Sequence, residues 1–164
     1  MVRHCGPSLR RTSAWTVRTD VSTMSYQRLM SENDMIARLC RDLLSELDAE
    51  DSALESLQAG FSQLSIAIES LACFELENLY PRLLAIDGAF AEHTAARFRD
   101  EVETIRNAKA SFMAEWCAEC IRADPDEFRA EARAFLNQVL QQTATGARTI
   151  YAFALKVGAL SLRD

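Results

Sequence analysis

Apolar residues recur at steps of three and four along most of this chain, the period of one face of an α-helix. Leu29, Glu32, Ile36, Leu39, Leu43 and Leu47 set out a first helix from about Tyr26, and the polar run "DAED" at 48–51 predicts its end. The second pattern is the most regular. Leu54, Leu57, Phe61, Leu64, Ile68, Leu71 and Glu75 alternate three- and four-residue steps without a slip, with an end predicted near Tyr80, before Pro81. "PRLLAIDG" at 81–88 reads as the connection. A third helix carries Phe98, Val102, Ile105, Phe112 and Trp116 and stops around "ADPDE", where Asp124 before Pro125 has the form of a cap followed by proline at the first helical position. The fourth runs through Phe128, Ala132, Phe135, Val139, Gln142, Gly146, Thr149 and Phe153.

Four amphipathic helices joined by short loops predict an all-α fold, an antiparallel up-down-up-down four-helix bundle. Composition agrees: 49% hydrophobic residues with five Gly and three Pro among 164 residues favour long helices over strands with many turns, in one domain. Residues 1–24, rich in Arg, Ser and Thr and without a sustained period, read as a flexible tail ahead of a domain at 25–164.

Charge narrows the partners. The formal net charge is -6, and the tail holds Arg3, Arg10, Arg11 and Arg18 against Asp20, so the domain is more acidic than the chain as a whole. Nucleic acid is not expected as a partner, because phosphate binding needs a basic face. No apolar run approaches the roughly 20 residues that span a bilayer, and the start lacks the apolar core of a secretory signal, so a cytoplasmic protein without a membrane partner is expected. Five cysteines, an odd number, fit reduced thiols better than a disulfide framework.

Against this background one residue is out of place. In "LACFELENLYPRLL" at 71–84, Glu75 falls on the apolar stripe of the second helix. A lone buried carboxylate costs on the order of several kcal/mol or shifts its pKa, so Glu75 needs a partner. It is either a metal ligand or the centre of a polar cluster with Asn33, Gln142, Thr149 or Tyr151 and buried water.

The stretch "FELENLYPRL" resembles the second-helix motif of the hemerythrin-like cation-binding domain, in which a His and then a Glu four residues later precede Leu-Tyr-Pro. The likeness continues in "ENDMIARL" at 32–39, "EH" at 92–93 and "TIYAFALKVGAL" at 149–160. The resemblance implies a four-helix bundle around a non-haem di-iron centre that binds oxygen or senses oxygen, nitric oxide or iron. Carried over by position, its ligands fall on Asn33, Leu71, Glu75, His93, Gln142 and Gly146. Only Glu75 and His93 could ligate metal, and a regular third helix points His93 about 140° away from the apolar stripe.

Two ligands cannot hold a pair of irons. The expectation is therefore a hemerythrin-like bundle with its metal site largely lost and no cofactor, serving in regulation or interaction through a protein partner or a homodimer. The alternative is an oxygen- or iron-binding protein with an altered ligand set around Glu75 and His93. On the first reading, exchange of Glu75 for Leu should leave stability level or raise it. An enzyme is not expected, since no acid/base pair or nucleophile with its base falls on one face, and there is no P-loop, dinucleotide fingerprint or nucleophile elbow. "CAEC" at 117–120 has the spacing of a metal or redox pair, but no second Cys or His pair accompanies it, and the two thiols read as incidental.

Overall fold

The computed structural model describes residues 25–49 and 53–162; the tail assigned to residues 1–24 lies outside them. Among the described residues the chain is all-helical, with no strand and a single isolated bridge between Ser25 and Ser161. No helix among them is long and apolar enough to cross a membrane.

Helix α1 (Tyr26–Asp48) begins at Ser25, whose hydroxyl accepts the Arg28 N–H at 3.1 Å and so satisfies one of the orphan donors of the first turn. Its buried stripe is Leu29, Asn33, Ile36, Cys40, Leu43 and Leu47. Glu32 and Leu39, expected on the seam, are half-buried beside it. Both registers satisfy the three-four spacing, and the one adopted buries an amide that can be bonded in place of a charge.

Helix α2 (Leu54–Phe74) buries Leu57, Phe61, Leu64, Ile68 and Leu71 as expected. A Cβ at Gly60 would come within 2.7 Å of Leu43 Cδ2. Glycine, about 1 kcal/mol worse than alanine within a helix, is therefore used here for the close approach of α1 and α2. The helical run does not end at Tyr80. It widens into a π turn (Glu75–Leu79) and continues as α3 (Tyr80–Leu84), so the connection is shorter than the predicted 81–88. Pro81 lacks an N–H and its ring crowds the carbonyl four residues earlier; the wide turn just before it makes room.

Helix α4 (Ala89–Glu115) follows Gly88, whose φ of 119° suits only glycine. It breaks at Trp116 and Cys117, earlier than expected, and a short helix α5 (Ala118–Ala123) leads into α6 (Pro125–Gly146). Asp124 caps α6 by accepting the Glu127 N–H at 3.1 Å, with Pro125 at the first position, as the sequence predicts. A second π turn (Ala147–Tyr151) and α7 (Ala152–Lys156) complete the run.

Helices α1 and α4 each pack on both α2 and α6. One end of the core is aromatic: Phe112 lies 5.0 Å from Phe61 and 4.8 Å from Phe135 between ring centroids, and Trp116 meets Phe128 edge-on. Glu69 of α2 draws Arg106 (2.6 Å) and Lys109 of α4 across the surface of their contact. Toward the other end the apolar core, with Leu29, Leu79 and Leu83 fully buried, encloses a small polar cluster around Asn33 and Glu75.

Candidate functional site

Both π turns border that polar cluster, and each carries one member of its central pair, Glu75 and Tyr151. A π turn inserts one residue into a helix and rotates the residues beyond it by about 100°. In the last helix this insertion moves Thr149, expected on the seam, out to the surface, where its hydroxyl bonds back to the Thr145 carbonyl at 2.7 Å. Ile150 and Tyr151 take the inward place. In the second helix Glu75 opens the π turn, and its carbonyl accepts the Tyr80 N–H five residues on.

Glu75 is 6% exposed, Asn33 6% and Tyr151 2%. The Asn33 side-chain amide donates to the Tyr151 hydroxyl at 2.8 Å, and that hydroxyl donates to Glu75 Oε1. The relay runs amide to phenol to carboxylate and ties α1 to both π turns. Burial pushes the Glu75 carboxyl up to about 7, against the lowering effect of the Tyr151 hydrogen bond. Tyr151 is itself held well above the ordinary phenol value, first by burial and then by the Glu75 charge.

Asn33, Leu71, Glu75, Gln142 and Gly146, together with Tyr151, line one cavity of about 70 Å³. Five of the six positions to which the hemerythrin resemblance assigns ligands thus meet around a single space. Gln142 Oε1 is buried there without a hydrogen-bond partner. Its walls are mostly apolar, from Ile36, Ile68, Phe98, Val102 and Val139, and the orphaned acceptor and the carboxylate form a polar spot where a few waters or another hydrogen-bond donor can sit.

The sixth position, His93, is not brought to it. His93 is exposed on α4 and does not line the cavity, because the buried face of that helix is Ala91, Ala95, Phe98 and Val102. From α4 the cavity is reached by Phe98, Val102 and Ile105 and by one charged residue, Glu101, whose side chain is 30% exposed and pairs with Arg97 at 3.2 Å. Sequence reasoning passed over Glu101 because an Arg–Glu pair four apart reads as a solvated face. Its place next to Val102 and three after Phe98 was the signal.

Among the described residues, no group of three or more His, Cys, Asp or Glu side chains could hold a metal ion. The cavity offers two carboxylates, Glu75 and Glu101, with amides and a phenol, and no imidazole or thiolate. That donor set does not fit a di-iron centre, which needs several carboxylate and imidazole ligands. Cys73, a conceivable substitute, bonds instead to Glu69, and Glu77 is exposed. Compared with protein-family models, curated proteins and solved structures, the chain finds no match.

Proposed function

We propose that this chain is a divergent hemerythrin-like domain, an antiparallel up-down-up-down four-helix bundle whose di-iron site has been lost and which serves as a cytoplasmic regulatory or interaction module without catalytic activity. The reading rests on one observation. The positions where the resemblance puts ligands, Asn33, Leu71, Glu75, Gln142 and Gly146, converge on one cavity, and the carboxylate left there is bonded by Tyr151. The hydroxyl of Tyr151 and the amide of Asn33 fill the role that a metal ion would have, holding an inward glutamate that would otherwise be unpaired.

The alternative, oxygen or iron binding through an altered set around Glu75 and His93, has no observation in its favour, since His93 faces solvent. Metal analysis of the full chain purified from iron-supplemented cells separates the two. The proposal expects iron well below one per chain and no absorption from an oxo-bridged pair. A pair of irons per chain with that absorption would sink it, and loss of the iron on Glu75→Gln would establish the alternative.

A further inference from the structure

A second piece of chemistry lies at the opposite end of α2. Leu57, near its start, lines a surface cavity with Ile121 of α5, and the helical rise puts Leu57 roughly 27 Å from Glu75. Here the break between α4 and α5 changes the reading of "CAEC". In an unbroken helix, residues three apart hold their Cβ atoms about 5–6 Å apart. The chain instead leaves α4 at Trp116 (φ -98°, ψ 71°), and Cys117 turns extended (φ -76°, ψ 165°) as the cap of α5. Its side chain folds back over the first turn. Cys117 Sγ accepts the Cys120 N–H at 3.3 Å and lies 2.7 Å from Cys120 Sγ.

The core fixes this corner independently of the thiols. The indole of Trp116 packs edge-on against Phe128 at 5.4 Å and donates to Glu131 at 2.9 Å, while Ile121, next to Cys120, is buried. Both cysteines remain exposed. The other described cysteines differ: Cys40 is buried, which pushes its thiol up to about 12, and Cys73 is half-buried against Glu69.

We propose that Cys117 and Cys120 form a reversible dithiol–disulfide couple that exchanges with small-molecule disulfides of the glutathione class. Cys117 is the attacking sulfur. Hydrogen bonds from the Cys120 thiol and backbone hold it below the ordinary thiol value, whereas Cys120 is raised by the same contact. The Cys117 thiolate attacks one sulfur of the disulfide RSSR, forming a mixed disulfide and expelling RS⁻. Cys120 then gives its proton to solvent and attacks Cys117 Sγ, closing the internal disulfide and expelling the second RS⁻. The chain's two thiols lose two electrons and two protons, and RSSR becomes two thiols.

The test uses the full-length chain equilibrated with reduced and oxidised glutathione at graded ratios, quenched by alkylation and mapped by peptide mass. The 117–120 peptide should pass from doubly alkylated to unalkylated and two hydrogens lighter than the free dithiol, with a single midpoint, while Cys40 and Cys73 stay alkylatable under denaturant throughout. Cys120→Ser should accumulate glutathione on Cys117. Cys117→Ser should acquire it on Cys120 at least tenfold more slowly, with an unchanged far-UV circular dichroism spectrum in both variants. Cys117 and Cys120 staying reduced at every ratio would overturn the proposal. So would a wild-type chain that stalls with glutathione on Cys117, or an oxidised form that joins Cys117 to Cys5.

Discussion

The hydroxyl of Tyr151 donates to the carboxylate of Glu75 across 76 residues of chain, and each of the two belongs to a π turn. The bond is buried and charge-assisted, and removing one partner strands the other. Tyr151→Phe should therefore destabilise the fold by about 2 kcal/mol near pH 8, of the order found for hydrogen bonds to charged groups. It also leaves the Asn33 amide without its acceptor. Urea unfolding of Tyr151→Phe, Glu75→Leu and the double variant gives the coupling directly, because each exchange removes one side of the bond. A coupling near zero would mean that the two side chains do not act as a pair.

The raised carboxyl of Glu75 makes stability depend on pH in the direction opposite to most carboxylates. Its folded value of about 7 lies above the ordinary 4.5, so the folded chain holds the proton more tightly than the unfolded one. Stability is highest while Glu75 is protonated in both states and falls as pH rises from 4.5 through 7. The shift corresponds to about 3 kcal/mol once both states are ionised. Glu75→Gln stays neutral, so its stability relative to wild type should climb by that amount between about pH 4.5 and pH 8, read from unfolding midpoints at each pH.

The helices and the inward place of Glu75 were legible from spacing alone, because an uninterrupted three-four pattern through Leu71 leaves Glu75 no other face. The partner was not. Spacing put Thr149 inward and left Tyr151 as one of four candidates, since a π turn adds a residue that no local residue type announces. Pro81 was read as a stop, although a wide turn before it lets the helix pass. At Trp116 the break was hidden for the opposite reason: "AEWCAEC" has no glycine or proline, and the long helix yields there because Trp116 finds a better site against Phe128 and Glu131. Glu32 and Asn33 competed for one seam position, and only the Tyr151 hydroxyl decides in favour of the amide.

Glu69 has the reverse pH dependence. Hydrogen bonds from Lys109 and then Arg106 hold its carboxyl down to about 2, from an ordinary value of 4.5. Its contribution is present above 4.5 and is lost as pH falls toward 2. The side chain is 36% exposed, so solvent screening limits the effect to about 1 kcal/mol or less. Glu69→Gln should lower stability slightly at neutral pH and not at pH 2, and the difference should shrink in 1 M salt. Opposite slopes for Glu69→Gln and Glu75→Gln in one titration series separate the ionic contact between α2 and α4 from the buried relay.

The expectation that Glu75→Leu keeps or raises stability holds on only one side of neutrality. At about pH 8 the exchange removes an ionised carboxylate from the core, which offsets the loss of an acceptor for the Tyr151 hydroxyl, and the variant should match wild type within about 1 kcal/mol. At pH 5 Glu75 is already protonated, and the exchange only strands the hydroxyl, so a loss of about 1–3 kcal/mol is expected. Combining Asn33→Leu, Glu75→Leu and Tyr151→Phe removes every member of the relay at once. With no buried partner left unpaired, the triple variant should be at least as stable as wild type at pH 8, by the rule that well-packed apolar groups match or exceed a buried polar cluster. If the triple variant instead unfolds more readily than Tyr151→Phe alone, the relay contributes net stability to the fold beyond the mutual satisfaction of its buried polar groups.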